Sequence, residues 1–215
     1  MNSSRLPNKV LYEINGKPLL KYLVERLQIR FKNKICLASS SKKHDDSIEK
    51  FCVKNNIPCF RGSLTNVAKR MLDTAKFYNQ DAFVRINGDS PLMDPTIIEK
   101  AIKLYITGDY DLVTNVYPRS FPVGQSVEVI KTNTFKKIYN KMSTLEHFEH
   151  VTKYYYDYPE KFKIQNFQYQ KDLSNYRFVV DTNEDINRMK KIIFKMIKPH
   201  TEYGLDKLIK LYPTH

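Results

Sequence analysis

Residues 81–106 read DAFVRINGDSPLMDPTIIEKAIKLYI, and this stretch decides the fold class. The apolar run Asp81–Ile86 predicts a buried strand, and Asp94 followed by Pro95 predicts the first turn of a helix that extends to about Ile106. Between them lies the turn Asn87-Gly88-Asp89-Ser90-Pro91. A strand, a tight turn and a helix in this order are typical of an α/β protein.

The same alternation continues on both sides of this stretch. Further strands are predicted at Lys34–Ser39, Ile57–Phe60, Asp111–Val116, Ser126–Lys131, Phe162–Phe167 and Arg177–Val180. Further helices are predicted at 17–30, Asp45–Asn55, Leu64–Tyr78, Thr132–Lys141, Leu145–Tyr156, Asp185–Ile197 and Glu202–Tyr212. This alternation indicates a mostly parallel sheet, in which ligands lie outside the carboxyl ends of the strands. We take residues 1–215 as a single domain.

The composition is that of a globular protein with an anionic partner. The chain has 215 residues, of which 41 % are hydrophobic, so it is long enough to bury a core. No apolar run approaches the ~20 residues of a membrane span, and we expect no membrane partner. The formal net charge of +13 is spread along the chain and indicates an anionic partner without choosing among anions. The three cysteines form no CxxC pair, and a reduced cytoplasm is their simplest location.

Two aspartates directly follow predicted strands. Asp89 follows the strand that ends at Ile86, and Asp181 follows Arg177–Val180. Because Mg²⁺ takes one or two carboxylates together with phosphate oxygens, such a pair suits a metal–triphosphate site at the sheet edge. The alternative is that each aspartate belongs only to a turn or a helix N-cap.

The first residues of the chain carry hydroxyl groups and cations. Ser3 and Ser4 precede Arg5 and Lys9, and such a segment can wrap a triphosphate with backbone N–H groups and two cations. A solvated tail is the alternative. The Gly-Lys at Gly16 lacks the rest of a Walker pattern, which argues against a P-loop ATPase.

Two further clusters contain residue types that could take part in catalysis or binding, but structural roles explain them better. Glu146, His147, Glu149 and His150 are close in sequence, yet no third His or Cys lies at a spacing suited to zinc, and a surface or supporting role is the better interpretation. The tyrosines at 154, 155, 156 and 158 can stack bases, but packing in a core or interface explains them better.

Taken in order, the motifs resemble those of the nucleotide-sugar cytidylyltransferases of the ketodeoxyoctonate, acylneuraminate and spore-coat-polysaccharide types. The matching segments are Ser3–Leu11, Ile14–Leu19, Phe60–Ser63, Gly88–Pro95, Phe121–Gly124, Val127–Val129, Glu149–Thr152, Arg177 and Val180–Asp185. They span the chain from end to end. The Glu-His-Val-Thr segment makes the spore-coat type the closer likeness.

The resemblance implies a nucleotide-diphospho-sugar transferase fold (glycosyltransferase-A-like), a three-layer α/β/α sandwich. It implies a cytoplasmic, Mg²⁺-dependent enzyme that couples CTP to a small anionic acceptor, such as a sugar acid for surface polysaccharide, and releases pyrophosphate. A homodimer is expected. The catalytic residues implied are Arg5, Lys9, Asp89 and Asp181, and the metal ligands Asp89 and Asp181. The nucleotide-binding residues implied are Ser3, Ser4, Arg5, Lys9, Ser39, Ser40, Arg61 and Asp89, and the acceptor-binding residues Glu128, His150 and Arg177.

Three positions depart from the family pattern. Asn8 replaces a glycine of the loop, and Phe148 replaces an arginine before Glu-His-Val-Thr, which puts the acceptor or its charge in question. The family also has a hydrophobic strand and an Ala-Arg directly before the loop. We therefore expect Met1 to be an internal methionine or a misassigned start.

Other functions remain open from the sequence. A nucleotidyltransferase of the same fold that uses UTP or GTP is one, and a non-catalytic nucleotide- or sugar-binding homologue is another. A basic nucleic-acid-binding module would bind oligonucleotides with a steep salt dependence, but no base-reading motif supports it, and we expect no nucleic-acid partner.

Overall fold

The computed structural model describes residues 9–213, in which short strands alternate with helices. The strands are β1 Glu13–Ile14, β2 Lys17–Pro18, β3 Leu37–Ser40, β4 Cys59–Gly62, β5 Ala82–Arg85, β6 Leu112–Thr114, β7 Glu128–Lys131 and β8 Ile164–Asn166. The helices are α1 Leu19–Phe31, α2 Asp46–Lys54, α3 Val67–Phe77, α4 Pro95–Thr107, α5 Thr132–Tyr139, α6 Leu145–Glu149, α7 Lys153–Asp157, α8 Asn183–Phe194 and α9 Leu205–Leu211. None of the helices in this part of the chain is long and apolar enough to cross a membrane.

The strands form a mixed sheet rather than a mostly parallel one. Four strands are ordered β5-β7-β6-β8, and β7 runs antiparallel to both of its neighbours, whereas β6 and β8 are parallel. Parallel neighbours need a crossover connection, usually a helix, and residues 115–127 between β6 and β7 contain none. The strand β7 therefore returns beside β6 in the opposite direction. The α/β alternation itself is as predicted.

The sheet has one edge at which several polar side chains meet. Arg85 and Thr114, the last residues of β5 and β6, both lie opposite Glu128, the first residue of β7. Asn166, the last residue of β8, lies opposite Thr114. The carboxyl ends of three strands and the amino end of β7 thus form a single edge, which we call the carboxyl edge.

Strands β3 and β4 pair in parallel as a separate sheet, and β1 and β2 form a small antiparallel hairpin. Within residues 9–213 no ladder joins β3 and β4 to the four-stranded sheet. The expectation about Met1 stays a prediction.

The helices that follow turns at the carboxyl edge have well-defined starts. Asp94 caps α4 by accepting the backbone N–H of Thr96 at 2.9 Å, with Pro95 in the first turn. Thr182 and Asp185 form a capping box at the start of α8, in which each side chain accepts the other's backbone N–H. These caps fix the chain directly after the turns that hold Asp89 and Asp181.

Two predicted elements differ in the structure. Arg177–Val180 is not a strand, because its backbone forms hydrogen bonds to a loop and to a turn and not to another strand. Phe178 N donates to Val123 O at 2.7 Å, and Val180 N donates to Asp89 O at 2.9 Å. The predicted helix Leu145–Tyr156 is divided into α6 and α7. The break occurs where Val151 and Thr152 turn inward and are buried.

Helix α1 is joined to the C-terminal part of the chain by a buried arginine. Arg26 is 1 % exposed, and its guanidinium donates to the carbonyl oxygens of Met93 at 2.8 Å, Tyr203 at 2.7 Å and His200. Burial lowers the pKa of Arg26 to about 10, with Asp94 opposing the change, so the group stays charged at neutral pH. Three carbonyl acceptors are what a buried guanidinium needs in place of water.

Candidate functional site

Three segments distant in sequence converge beside the carboxyl edge. They are the 3-10 turn that begins at Lys9, the turn after β5 that holds Asp89, and the segment before α8 that holds Asp181. The hydrogen bond from Val180 N to Asp89 O ties the second to the third and sets the two carboxylates side by side. We call Asp89 and Asp181, together with Lys9 between them, the bridged pair.

The ammonium group of Lys9 lies between the two carboxylates. Its Nζ donates to Asp89 Oδ2 at 2.7 Å and to Asp181 Oδ1 at 2.5 Å, and the side chain is 10 % exposed. Burial opposes the charge of Lys9, but the attraction of Asp89 and the hydrogen bond to Asp181 outweigh it, and the pKa of Lys9 is raised. The cation therefore stays protonated and holds two anions that would otherwise repel each other.

Asp181 is held from its other side by Arg177. Arg177 Nη2 donates to Asp181 Oδ2 at 2.6 Å, so both carboxylate oxygens of Asp181 are engaged. Burial alone would raise the pKa of Asp181, but the hydrogen bonds from Lys9 and Arg177 lower it below its ordinary value. Asp181 is thus an anion at neutral pH.

Arg177 is itself positioned by a buried carboxylate. Its Nε donates to Asp185 Oδ1 at 2.9 Å, and Asp185 Oδ2 accepts the backbone N–H of Asp181 at 2.9 Å. Burial works against the ionised form of Asp185, yet Arg177 and the Asp181 N–H lower the pKa of Asp185 to about 2. Sequence reasoning did not assign Asp185 to the site, although the Thr-x-x-Asp capping pattern marks it.

One oxygen of the bridged pair has no partner among residues 9–213. Asp89 Oδ1 is buried and makes no hydrogen bond within residues 9–213. A buried carboxylate oxygen without a donor is costly unless a ligand satisfies it. A Mg²⁺ ion fits this donor set, because it takes one or two carboxylates and completes its shell with phosphate oxygens and water. Asp89 and Asp181 are the residues that would hold it.

A second acidic side chain at the carboxyl edge is fully satisfied. Glu128 is buried, its Oε2 accepts Arg85 Nη1 at 2.6 Å, and its Oε1 accepts the hydroxyls of Thr152 at 2.6 Å and Tyr156 at 2.7 Å. We call these four residues the Glu128 cluster. Burial and the neighbouring carboxylate raise the pKa of Tyr156, which keeps its hydroxyl a donor.

The sequence indicates Glu128 as a site residue but does not indicate the hydrogen-bond donors around it. Thr152 lies inside a motif quoted above, and only the break between α6 and α7 turns it toward the sheet. Arg85 lies on the strand before Asp89, and its pairing with Glu128 follows from a register that the sequence does not show. The preference for packing over base stacking holds for Tyr154 and Tyr155, which are buried in a core with Phe135.

The predicted nucleotide-binding residues of β3 and β4 lie at the ends of their own small sheet. Ser39 Oγ is buried and has no hydrogen-bond partner within residues 9–213, whereas Ser40 Oγ donates to Asp45 Oδ2 at 2.6 Å. Arg61 donates to Ser40 O at 2.9 Å, and its other N–H groups bind Lys42 O, Asp46 and Glu49. Arg61 thus connects β4 to the loop and helix that follow β3.

The remaining predicted residues are not all brought together. His150 is exposed, and its imidazole makes no hydrogen bond to residues 9–213, whereas His147 is buried and its Nε2 lies 2.9 Å from Asp157 Oδ2. The predictions for Ser3, Ser4, Arg5 and Asn8 fall outside the described residues. Phe148 packs against the aromatic core near Tyr139, with ring centroids 6.0 Å apart.

Comparison with known proteins identifies similar chains over most of this one. A family model described as Cytidylyltransferase matches residues 1–212. The spore coat polysaccharide biosynthesis protein SpsF of Bacillus subtilis (strain 168) is 31 % identical over 206 residues, which cover 91 % of this chain and 83 % of that protein. The solved structure of a cytidylyltransferase from Leptospira borgpetersenii serovar Hardjo-bovis (strain JB197) superposes with a TM-score of 0.93 and covers 98 % of this chain and 89 % of that one. The two sequences are 30 % identical.

A more distant structure shares the fold. It is CMP:2-keto-3-deoxy-manno-octonic acid synthetase complexed with CTP, which is 14 % identical with a TM-score of 0.66 and covers 90 % of this chain and 95 % of that one. The predicted α/β class and nucleotide-diphospho-sugar transferase fold are confirmed by this similarity.

Proposed function

We propose that this chain, which belongs to the cytidylyltransferase family, transfers the cytidylyl group of CTP to a sugar acid or similar anionic acceptor and releases pyrophosphate. The family makes it a CTP-dependent nucleotidyltransferase. The observation that carries the proposal is the bridged pair. Two carboxylates meet at the carboxyl edge of an α/β sheet, and the Lys9 ammonium group lies between them.

The reaction is a displacement at the α-phosphorus of CTP. An acceptor oxygen forms a bond to this phosphorus, the bond to the oxygen that bridges the α- and β-phosphorus atoms breaks, and the electron pair leaves with pyrophosphate. The acceptor hydroxyl loses its proton to water as this bond forms. No enzyme nucleophile is needed, so the work of the protein is positioning and charge stabilisation.

The residues of the bridged pair have separate tasks in this proposal. Mg²⁺ bound by Asp89 and Asp181 would neutralise phosphate charge while the reaction proceeds. Lys9 exchanges its carboxylate partners for phosphate oxygens of CTP, together with Arg5. Arg177 acts as a positioning residue, because it already donates to Asp181 and Asp185.

The nucleotide and acceptor surfaces are assigned by residue. We assign Ser3, Ser4, Ser39 and Ser40 to nucleotide binding, and Arg61 shapes the loop after β3. We assign Glu128 and His150 to the acceptor side. The acid named in the distant synthetase, 2-keto-3-deoxy-manno-octonic acid, is a suitable first acceptor to try.

The test is a measurement of thermal stability with CTP, UTP, GTP and ATP in turn, with and without Mg²⁺. A ligand that binds only the folded state stabilises it by ~2.7 kcal/mol at a hundred times its dissociation constant. We expect a Mg²⁺-dependent shift with CTP that is lost in Asp89→Ala. Asp109→Ala is the matched control, because Asp109 pairs with Lys131 and Lys163 on the surface.

Binding is then extended to turnover. Release of pyrophosphate from CTP in the presence of the sugar acid separates an enzyme from a non-catalytic binding homologue. A flat thermal response to all four nucleotides would contradict the proposal. A shift with UTP or GTP alone would replace CTP with another nucleotide.

We place the enzyme in the cytoplasm as a homodimer that supplies surface polysaccharide synthesis. The name of the Bacillus subtilis relative supports the pathway, and the three free cysteines suit a reducing compartment. Light scattering that gives a mass of 25.4 kDa for the protein in solution would reject the dimer. Recovery of the protein from the membrane fraction after cell lysis would reject the location.

A further inference from the structure

A half-buried arginine lies beside the Glu128 cluster and has no assigned role. Arg119 belongs to the loop 115–127 between β6 and β7, where it forms an isolated bridge with Val116. Its Nη1 donates to Ser126, two residues before Glu128, and the Glu128 carboxylate stabilises the charge of the guanidinium. Arg119 is therefore at the carboxyl edge, on the acceptor side of the proposed site.

The loop that carries Arg119 is fixed by buried amides. Asn115 Nδ2 donates to Gln125 O at 2.8 Å, and Asn115 Oδ1 accepts Val127 N at 2.9 Å. The Gln125 amide in turn donates to Leu92 O and accepts Asp94 N, both at 2.9 Å. These bonds close the loop at its base and tie it to the turn that follows Asp89.

The far side of the loop is packed closely against the segment before Asp181. Gly124 has φ +96°, and a Cβ there would lie 2.6 Å from the carbonyl carbon of Phe178. Ser120 Oγ accepts Tyr169 N at 2.8 Å. A side chain on such a loop is held in place before any ligand arrives, which lowers the entropy cost of binding.

Arg119 has more hydrogen-bonding capacity than its surroundings use. Within residues 9–213 the only hydrogen bond of its guanidinium runs from Nη1 to Ser126 Oγ, at 3.1 Å. Arg26 donates to three carbonyl oxygens, and Arg61 donates to four acceptors. Burial lowers the pKa of Arg119 while Glu128 raises it, so the group bears a desolvation cost that its single neutral hydrogen bond does not offset.

The charges and surfaces around Arg119 indicate what it binds. Arg85 and Arg119 carry two positive charges beside the single negative charge of Glu128, which leaves one positive charge in excess. Next to them the rings of Tyr117 and Tyr156 are stacked with centroids 4.9 Å apart, and Tyr117 is exposed. A monoanion attached to a compact ring suits this surface, whereas a phosphate dianion would leave an excess of negative charge.

We propose that Arg119 binds the carboxylate of a sugar-acid acceptor through its free guanidinium N–H groups, beside the Tyr117–Tyr156 stack. This assignment rests on the proposed cytidylyl transfer. A carboxylate accepts two parallel N–H bonds from a guanidinium, which fixes both the position and the orientation of the acceptor. The excess positive charge of Arg85 and Arg119 over Glu128 is then neutralised by the substrate itself.

The experiment measures pyrophosphate release from CTP with 2-keto-3-deoxy-manno-octonic acid as the acceptor, in wild type, Arg119→Gln and Arg119→Lys. Loss of a hydrogen bond to a charged group predicts a rise of roughly 10- to 150-fold in KM for the acid in Arg119→Gln. The KM for CTP and the midpoint of thermal unfolding should stay unchanged. Arg119→Lys should recover part of the affinity, because it keeps the charge and loses the paired N–H groups.

Two comparisons make the result specific to the carboxylate. Arg30→Gln is the matched control, because Arg30 is half exposed on α1 and pairs only loosely with Glu99, at 3.6 Å. The carboxamide of the same acid should be a poor acceptor for wild type, and Arg119→Gln should no longer distinguish the amide from the acid. A purely structural role of Arg119 would lower stability and leave that discrimination intact.

Each outcome is decisive. Equal KM for the acid in wild type and Arg119→Gln, or equal use of acid and amide by wild type, would overturn the role of Arg119 while cytidylyl transfer stands. Turnover with neutral or phosphorylated sugars but not with the acid would do the same. Failure of wild type to bind CTP would instead reject the proposed function, and the acceptor assignment with it.

Discussion

Two sets of carboxylates lie at the carboxyl edge of the sheet, and the fold surrounds them differently. In the Glu128 cluster, both oxygens of one buried carboxylate accept hydrogen bonds from Arg85, Thr152 and Tyr156. In the bridged pair, a single ammonium group joins two partly exposed carboxylates, and Asp89 Oδ1 has no donor within residues 9–213.

The difference separates a site that is complete from one that needs a ligand. Both oxygens of Glu128 already accept hydrogen bonds from neighbouring side chains, so its cluster fixes the shape of the edge. In the proposed reaction the Lys9 ammonium group gives up its place between the two carboxylates of the bridged pair to Mg²⁺. A fully satisfied polar network rigidifies the fold, whereas Asp89 Oδ1 would gain its partner from the proposed metal ion.

The largest effect is expected where the complete cluster is broken. Glu128→Gln removes the charge that pairs with Arg85 and leaves that partly buried cation without a partner anion, which costs about 3–5 kcal/mol of unfolding free energy. Urea denaturation measures the loss, with Glu160→Gln as a control on an exposed glutamate. A change below about 1 kcal/mol would mean that the cluster is not a structural unit.

In the bridged pair we expect a large loss of activity and only a small loss of stability. Asp89→Asn is expected to lower kcat by roughly 10²- to 10³-fold, the effect of losing one preorganised electrostatic contact in an active site. Its unfolding free energy should fall by about 1 kcal/mol or less, because Lys9 keeps Asp181 as its counter-charge. Pyrophosphate release and urea denaturation of the same variant measure both quantities. Unchanged activity with a large loss of stability would reverse the comparison.

A smaller change tests whether the donors of the Glu128 cluster act as a group. Tyr156→Phe removes one hydroxyl from Glu128 Oε1 and should cost about 1.5 kcal/mol, the contribution of a hydrogen bond to a charged group. Tyr158→Phe is the control, because Tyr158 lies nearby with its ring exposed. Equal unfolding midpoints for the two variants would show that Oε1 is satisfied by Thr152 alone.

The smallest effect is expected at an exposed cluster of ion pairs. Its comparison with the Glu128 cluster shows how much burial strengthens an ion pair. Asp109 pairs with Lys163 at 2.8 Å and Lys131 at 3.0 Å, and these two lysines lower the pKa of Asp109 to about 2. A lowered carboxylate pKa stabilises the fold above the ordinary value near 4, and this contribution is lost as the pH falls toward 2. The difference in thermal midpoint between wild type and Asp109→Asn should therefore be small at pH 7. It should vanish below pH ~2 and in high salt. A difference that persists in both conditions would contradict this view.

Local patterns in the sequence predicted the parts of the fold and site that depend on local structure. The strand of apolar residues before Asp89 and the capped helix after it follow from spacing and propensity, and the structure has both. The turn aspartates Asp89 and Asp181 were predicted to follow strands at one sheet edge. They do meet there, although the segment before Asp181 pairs with loops instead of forming a strand.

What the sequence did not predict depends on pairing between distant segments. The direction of β7 depends on a loop without a helix, and the partners of Glu128 depend on the register between β5 and β7. The family resemblance implies that Arg177 contacts the acceptor, which stays a prediction, and its guanidinium donates to Asp181 and Asp185. All three features depend on three-dimensional neighbours that no local pattern encodes.

Arg26 sets a condition on the order of folding during synthesis. Its acceptors on His200 and Tyr203 lie 174 and 177 residues further along the chain. At ribosomal rates of about 5–20 residues per second, those carbonyls emerge roughly 10 to 35 s after Arg26. Until then helix α1 has a charged side chain directed at an interior that is not yet built. Fragments that end before His200 should therefore lack this anchor, and protease resistance should rise only after residues 200–203 have been made.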